Sequence, residues 1–310
     1  MPYKALKCRL DAGEIVLLDG GTGTELQLRG AQMDPAAWCG PATLENESLL
    51  VEIHRDYIGA GAQVITANTF ASSRLMLNGA GFGDRVEEIN RRAVEAALQA
   101  REISPDVVVA GSLSHMAPVG GGTDVIDLAL LPSADAISDA FHELAGVLKA
   151  SGCEMIILEM MYNPTRIQAA LEAVLATGLP IWFGFSARRA ADGTVISFDQ
   201  HEEIALSDVV ATIPASGIDA AGPMHTGSDM ISSALEETKR GFDGALMAYP
   251  DSGHFEMPDW QFEEKMTAER YQRYCSEWLS AGAQIIGGCC GLTIEHIKAA
   301  GRARDAVSRS

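Results

Sequence analysis

The stretch IIGGCCGL, residues 285–292, sets Cys289 and Cys290 side by side between glycines at the end of an apolar run. Neighbouring residues on a strand point to opposite faces, so the two are badly placed to form a disulfide with each other. A soft metal is the first candidate for such a pair. A catalytic zinc takes three protein ligands and leaves a fourth position open. Gly287, Gly288 and Gly291 give the turn the backbone freedom to wrap around an ion. The third ligand should come from another strand end, where His225 is the best placed. Carboxylates form the second chemical group. Asp19 and Glu159 each close an apolar run, and burying a carboxylate is costly unless a partner meets it. Together they predict a clamp for an ammonium group.

Eight short β-rich runs deliver these residues: 15–19, 63–67, 107–112, 155–159, 181–185, 218–222, 244–249 and 284–288. Most are continuously apolar, as parallel strands buried on both faces should be. Helical spacing separates them, for example Ile137, Phe141, Leu144 and Leu148, or Ile167, Leu171, Val174 and Leu175. Eight strands alternating with eight helices predict an α/β fold, a (β/α)8 TIM barrel formed by residues 1–310 as a single domain. A doubly wound sheet is the alternative, but no GxGxxG follows the first run. In a barrel, function collects at the C-terminal strand ends. Those positions hold Asp19, Gly20, Thr66, Asn68, Phe70, Ser112, Glu159, His225, Tyr249, Cys289 and Cys290, with His115 nearby. The loops after the first, third and seventh strands are the longest.

The chain has 310 residues, 47% hydrophobic and 21% charged, with a net charge of -19. Nucleic acids and anionic membranes bind clustered Lys and Arg, so neither is expected as a partner. Six cysteines in this length are no disulfide framework, and no apolar run reaches membrane-span length. With no signal-peptide pattern, the expected location is a reducing cytoplasm. His115 and His254 read as solvated loop histidines; His54, His142, His201 and His296 read as surface positions on helices. Cys8, Cys39, Cys153 and Cys275 carry no assigned chemistry.

From LLDGGTGTELQLRG through HRDYIGAGAQVITANTF, AGSL and YPDSG to GAQIIGGCCGLTIEHI, the chain resembles the zinc-dependent homocysteine S-methyltransferases. The resemblance implies a barrel whose Zn2+ binds the sulfur of homocysteine directly. It also implies donor-facing aromatics at Trp38 and Phe70, with Tyr162 following the fourth strand. One position departs from the family pattern. The stretch GPMHTG places Met224 where the family has Asn and His225 where it has the first zinc-ligand cysteine. A Cys2His set is a known catalytic zinc environment, and a neutral ligand in place of a thiolate makes the ion more electrophilic.

The expected reaction is methyl transfer from an onium donor (S-methylmethionine, betaine or similar) to the homocysteine thiolate, giving methionine. Asp19 and Glu159 hold the substrate ammonium, Gly20 and Thr66 add backbone or hydroxyl contacts, and His225, Cys289 and Cys290 hold the metal. Phe70 lacks the hydroxyl that a betaine carboxylate would seek. Two alternatives share the residues: a zinc hydrolase with His115 or His254 shuttling protons, and a non-catalytic paralogue that binds zinc or thiols. By comparison with the betaine-using branch the chain lacks a long C-terminal dimerisation extension, so a monomer or small homo-oligomer is expected.

Overall fold

The computed structural model describes residues 2–120, 125–253, 255–256, 261–262 and 266–307. Eight parallel strands form its centre: β1 (Val16–Leu17), β2 (Val64–Thr66), β3 (Val108–Ser114), β4 (Met155–Met161), β5 (Ile181–Phe185), β6 (Ala220–Gly227), β7 (Ala245–Asp251) and β8 (Ile285–Ile286). They pair in the order 1-8-7-6-5-4-3-2, and a parallel bridge between Leu18 and Val64 joins the two ends. The ring is a (β/α)8 barrel.

A helix follows each strand, at Glu47–Gly59, Val86–Arg101, Ala134–Ser151, Pro164–Leu175, Leu206–Val210, Ile231–Gly241, Ala268–Ser280 and Ile294–Val307. Apolar runs make the strands because both faces are covered. Val16, Val64, Val108, Met155, Trp182, Ala220, Met247 and Ile285 fill the barrel interior, while Ile65, Val109, Ile156, Phe183 and Ala221 meet the outer helices. Among the described residues no helix is long and apolar enough to cross a membrane.

The elements outside the eight-plus-eight count include an N-terminal helix and a hairpin after β5. The helix Pro2–Asp11 packs Tyr3, Leu6 and Leu10 into the same cluster as the strand interiors. Its Tyr3 hydroxyl donates to Asp219 at 2.7 Å and accepts from Trp182 Nε1 at 3.1 Å, closing the end of the barrel opposite the candidate site. After β5, Ala187–Arg189 pairs antiparallel with Val195–Ser197. Gly193, at φ 91°, and the Asp192 carboxylate, accepting from Thr194 N–H at 2.9 Å, form its turn.

Several strands run further toward the active-face end than their apolar runs. β4 reaches Met161 and β6 reaches Gly227, and each shifts register near its end. The shifts coincide with two non-glycine residues at positive φ, Met160 at 54° and His225 at 41°. Such bulges re-aim side chains, and histidine tolerates the left-handed region better than most residues.

Candidate active and metal-binding site

The turn after β8 is tied down on both sides. Cys289 N–H donates to the Pro250 carbonyl at 2.8 Å, and Ser252 N–H donates to the Cys290 carbonyl at 2.9 Å. From the other side, Gly288 N–H donates to the Asp19 carbonyl at 2.9 Å, and Gly291 N–H to the Thr24 hydroxyl at 2.9 Å. The loop after β1 lies so close that a Cβ on Gly21 would sit 2.7 Å from the Cys289 carbonyl oxygen. Glycine is required there because two backbones touch.

The bulge in β6 brings His225 to this turn. Cys289 Sγ lies 3.7 Å from Cys290 Sγ and 3.8 Å from His225 Nδ1, and the three ligand atoms all fall within 4.8 Å of one another. A tetrahedral ion bonded to sulfur at about 2.3 Å and to nitrogen at about 2.0 Å has edges of roughly 3.5–3.8 Å. The donor set therefore fits one metal ion with little movement. The neighbouring Cys290 thiol and burial both push the Cys289 thiol well above its ordinary pKa, while His225 opposes them. Beneath His225 the Met224 thioether fills the bulge, accepting from Met160 N–H at 3.1 Å. It occupies that space as a soft, weak acceptor.

Both carboxylates are buried in the same cleft, Asp19 at 2% and Glu159 at 7% exposure. Asp19 accepts Thr66 N–H at 2.7 Å and the Thr66 hydroxyl at 3.0 Å; Glu159 accepts the Ser112 hydroxyl. Burial pushes Asp19 up to about 8, with Glu159 adding repulsion, and pushes Glu159 up to about 7. The Tyr249 hydroxyl comes close enough to lower the Glu159 pKa without completing a hydrogen bond. No Lys or Arg is among the groups that set either pKa. Among the described residues no Lys or Arg lines the cleft, so both carboxyls hold their protons beyond the ordinary carboxylate range.

The cleft, about 530 Å³ with its open mouth included, is lined by Asp19, Gly20, Trp38, Thr66, Phe70, Glu159, Cys289 and Cys290. His225 adjoins it through Cys289. All nine expected site residues are thus brought to one end of the barrel. The Thr66 hydroxyl and N–H both donate to Asp19, so Thr66 also positions that carboxyl. Trp38 and Phe70 meet edge to face with centroids 6.3 Å apart. Asn68 pins the loop beneath Trp38, donating to the Cys39 carbonyl at 2.8 Å and the Thr43 hydroxyl at 3.1 Å.

The histidines need correction. His115 is buried, not solvated; its Nε2 accepts Tyr162 N–H at 3.2 Å, and burial holds its pKa well below the ordinary value. A neutral ring fixed in this way is unsuited to shuttling protons. His54 and His296 are also buried, whereas His142 and His201 are exposed as expected. His254 lies outside the described residues. Sequence reasoning missed Phe198, which stands edge-on between Tyr162 at 5.6 Å and His225 at 5.7 Å. It follows the second strand, Val195–Ser197, of the hairpin whose turn lies in the ADGT stretch.

The family model for homocysteine S-methyltransferase matches residues 16–303. Homocysteine S-methyltransferase 2 of Zea mays is 28% identical, with 93% of this chain and 89% of that protein covered. Homocysteine S-methyltransferase of Escherichia coli strain K12 is 28% identical over 95% of this chain and 96% of its own. Selenocysteine Se-methyltransferase of Brassica oleracea var. italica is 26% identical over 96% and 91%. The metallated form of the E. coli homocysteine methyltransferase MmuM superposes with a TM-score of 0.76 and 25% identity, covering all of both chains. Its whole-chain likeness and the match over nearly all of the barrel place this protein in the homocysteine S-methyltransferase family, as a methyltransferase of EC class 2.1.1.

Proposed function

We propose that the protein moves a methyl group from an onium donor, S-methylmethionine, betaine or a similar compound, to the sulfur of homocysteine, giving methionine, with zinc held by His225, Cys289 and Cys290. The observation that carries this reading is the pairing, at one end of the barrel, of two buried carboxyls in a cleft lined by no Lys or Arg among the described residues with a His-Cys-Cys triangle of tetrahedral dimensions. An amino acid bearing a thiol answers both features. Bound zinc would supply Lewis acidity that lowers the pKa of the substrate thiol, and the neutral imidazole of His225 would leave more of its charge uncompensated than a third thiolate would.

The chain's own residues do the rest. Asp19 and Glu159 receive the substrate ammonium, and each releases its proton as the cation arrives. Thr66 and Ser112 hold the two carboxylates in place by donating to them. Trp38 and Phe70 offer aromatic faces to the donor onium by cation–π contact. The cleft lining is largely apolar apart from these groups. The donor's carbon–sulfur or carbon–nitrogen bond breaks as the new carbon–sulfur bond forms, the donor leaves with one positive charge fewer, and alignment supplies much of the acceleration. Residues 1–310 act here as one barrel domain, and the free cysteines suit a reducing cytoplasm. The test is a screen of zinc-loaded protein with homocysteine against S-methylmethionine and betaine, beside a hydrolase panel. Methionine formation is expected. Hydrolysis without methyl transfer would replace this reading, and neither activity would leave a binding protein.

A further inference from the structure

Tyr249, near the end of β7, is 1% exposed and lines the cleft beside Ser112, Glu159 and Cys289. Room for its phenol is built into a neighbouring strand. A Cβ on Gly184, inside β5, would run into the Tyr249 hydroxyl oxygen and would stand 2.8 Å from Met224 Cγ. Glycine weakens a strand interior, so one placed there marks a close approach. Yet among the described residues the hydroxyl that this space serves has no hydrogen-bond partner. A buried hydroxyl left unbonded is costly, and phenylalanine would offer the same ring without it. Burial first, and then Glu159, Cys289 and Asp19, raise the phenol well above its ordinary pKa, so it meets those groups as a donor.

The two carboxyls of the cleft are unequally served. Asp19 accepts both the N–H and the hydroxyl of Thr66, whereas among the described residues Glu159 accepts from the Ser112 hydroxyl alone, at Oε2. We propose that Tyr249 is the second donor to Glu159, closing on the carboxylate once the substrate ammonium is bound. It is thus a positioning residue that favours an amino-acid thiol over a thiol lacking the amine. This rests on the reading of Glu159 as a holder of the substrate ammonium. A hydrogen bond to an ionised acceptor is roughly twice as strong as one between neutral groups. The contribution of the hydroxyl therefore belongs to the substrate complex, while the free protein leaves it unbonded.

The experiment compares homocysteine with 4-mercaptobutanoate, the same thiol acid without its amine, in zinc-loaded wild type, Tyr249→Phe, Glu159→Gln and the double variant. Tyr249→Phe is expected to raise the KM for homocysteine roughly tenfold to a hundredfold, the range for a lost charged hydrogen bond. Its kcat should move by less than about twofold, and its KM for 4-mercaptobutanoate should hold. In the Glu159→Gln background the same change should cost homocysteine nothing further, because both residues act through one contact. Urea midpoints of wild type and Tyr249→Phe without substrate should agree. An unchanged homocysteine KM in Tyr249→Phe, an equal rise for both thiols, or a full further loss in the Glu159→Gln background overturns the role. A clearly lower midpoint, or failure to fold, puts the hydroxyl in the fold rather than the clamp and overturns it too. If Glu159→Gln alone leaves the homocysteine KM unchanged, the clamp fails, and Tyr249 with it. If no donor gives methyl transfer, the proposed function fails separately, and calorimetric titration of both thiols into wild type and Tyr249→Phe decides. A loss of affinity confined to homocysteine supports the role, and equal affinities overturn it.

Discussion

The two buried carboxylates make a prediction about stability in the metal-free, substrate-free protein. Burial raises Asp19 from 3.8 to about 8 and Glu159 from 4.5 to about 7. The folded chain therefore keeps protons that the unfolded chain has released, and stability falls as pH rises through the window between the two values. Each such proton costs about 1.4 kcal/mol per pH unit. Integrated from pH 5 to pH 8, this gives a loss of up to roughly 4 kcal/mol for Asp19 and roughly 2 to 3 kcal/mol for Glu159. Asp19→Asn and Glu159→Gln remove these protons from the balance while leaving amides of nearly the same shape.

Urea denaturation of the wild type and both variants, at half-unit steps from pH 5 to pH 8, measures the effect. Every other titrating group is common to the three proteins, so the differences between curves isolate the two carboxyls. Asp19→Asn should lose stability with pH more slowly than the wild type across the whole range. Glu159→Gln should do so mainly below pH 7. Homocysteine, whose ammonium favours the ionised forms, should release protons on binding near pH 6, visible as a dependence of calorimetric heat on buffer. Wild-type and Asp19→Asn curves of equal slope would refute the reasoning, because Asp19 would then be ionised in the free protein and the cleft would already hold its counter-ion.

Three further outcomes follow from the site geometry. Protein purified without chelator should contain about one zinc per chain, and the Cys289→Ser, Cys290→Ser double variant none; elemental analysis finding no zinc in either, even after zinc is supplied, would remove the metal. Glu159→Gln should raise the KM for homocysteine roughly tenfold or more while zinc content holds, since a charged contact is lost; an unchanged KM would take Glu159 out of the clamp. His225→Ala should weaken zinc binding and methyl transfer together, whereas His225→Cys should retain zinc. X-ray absorption at the zinc edge should show two protein sulfurs and one nitrogen in the wild type, and a spectrum unaltered by His225→Ala would discard His225 as a ligand.

The barrel was legible because parallel strands buried on both faces leave apolar runs that few other structures require. The first polar residue after each run, Asp19 or Glu159, then marks the functional end. That logic placed Asp19, Thr66, Glu159, Cys289 and Cys290 in one cleft, since strand ends of a closed ring must converge. It stops where local sequence no longer decides conformation. The apolar run of β6 ends by Gly222, yet the strand continues to Gly227. The reason is tertiary: Met224 packs its thioether beneath Met160, and the bulge turns His225 out at φ 41° toward Cys289. Burial of polar side chains is invisible for the same reason. His54, His115 and His296 look like surface residues until their neighbours are known, and Arg166 looks like an ordinary first-turn arginine. Its guanidinium lies 3.8 Å from Asp199 and over the Tyr162 ring, contacts that belong to the assembled fold rather than to any stretch of chain. The same is true of the carboxylates. Their places at the strand ends suggested a clamp, but only the cleft lining, which holds no Lys or Arg among the described residues, makes an incoming cation the natural completion of the cleft.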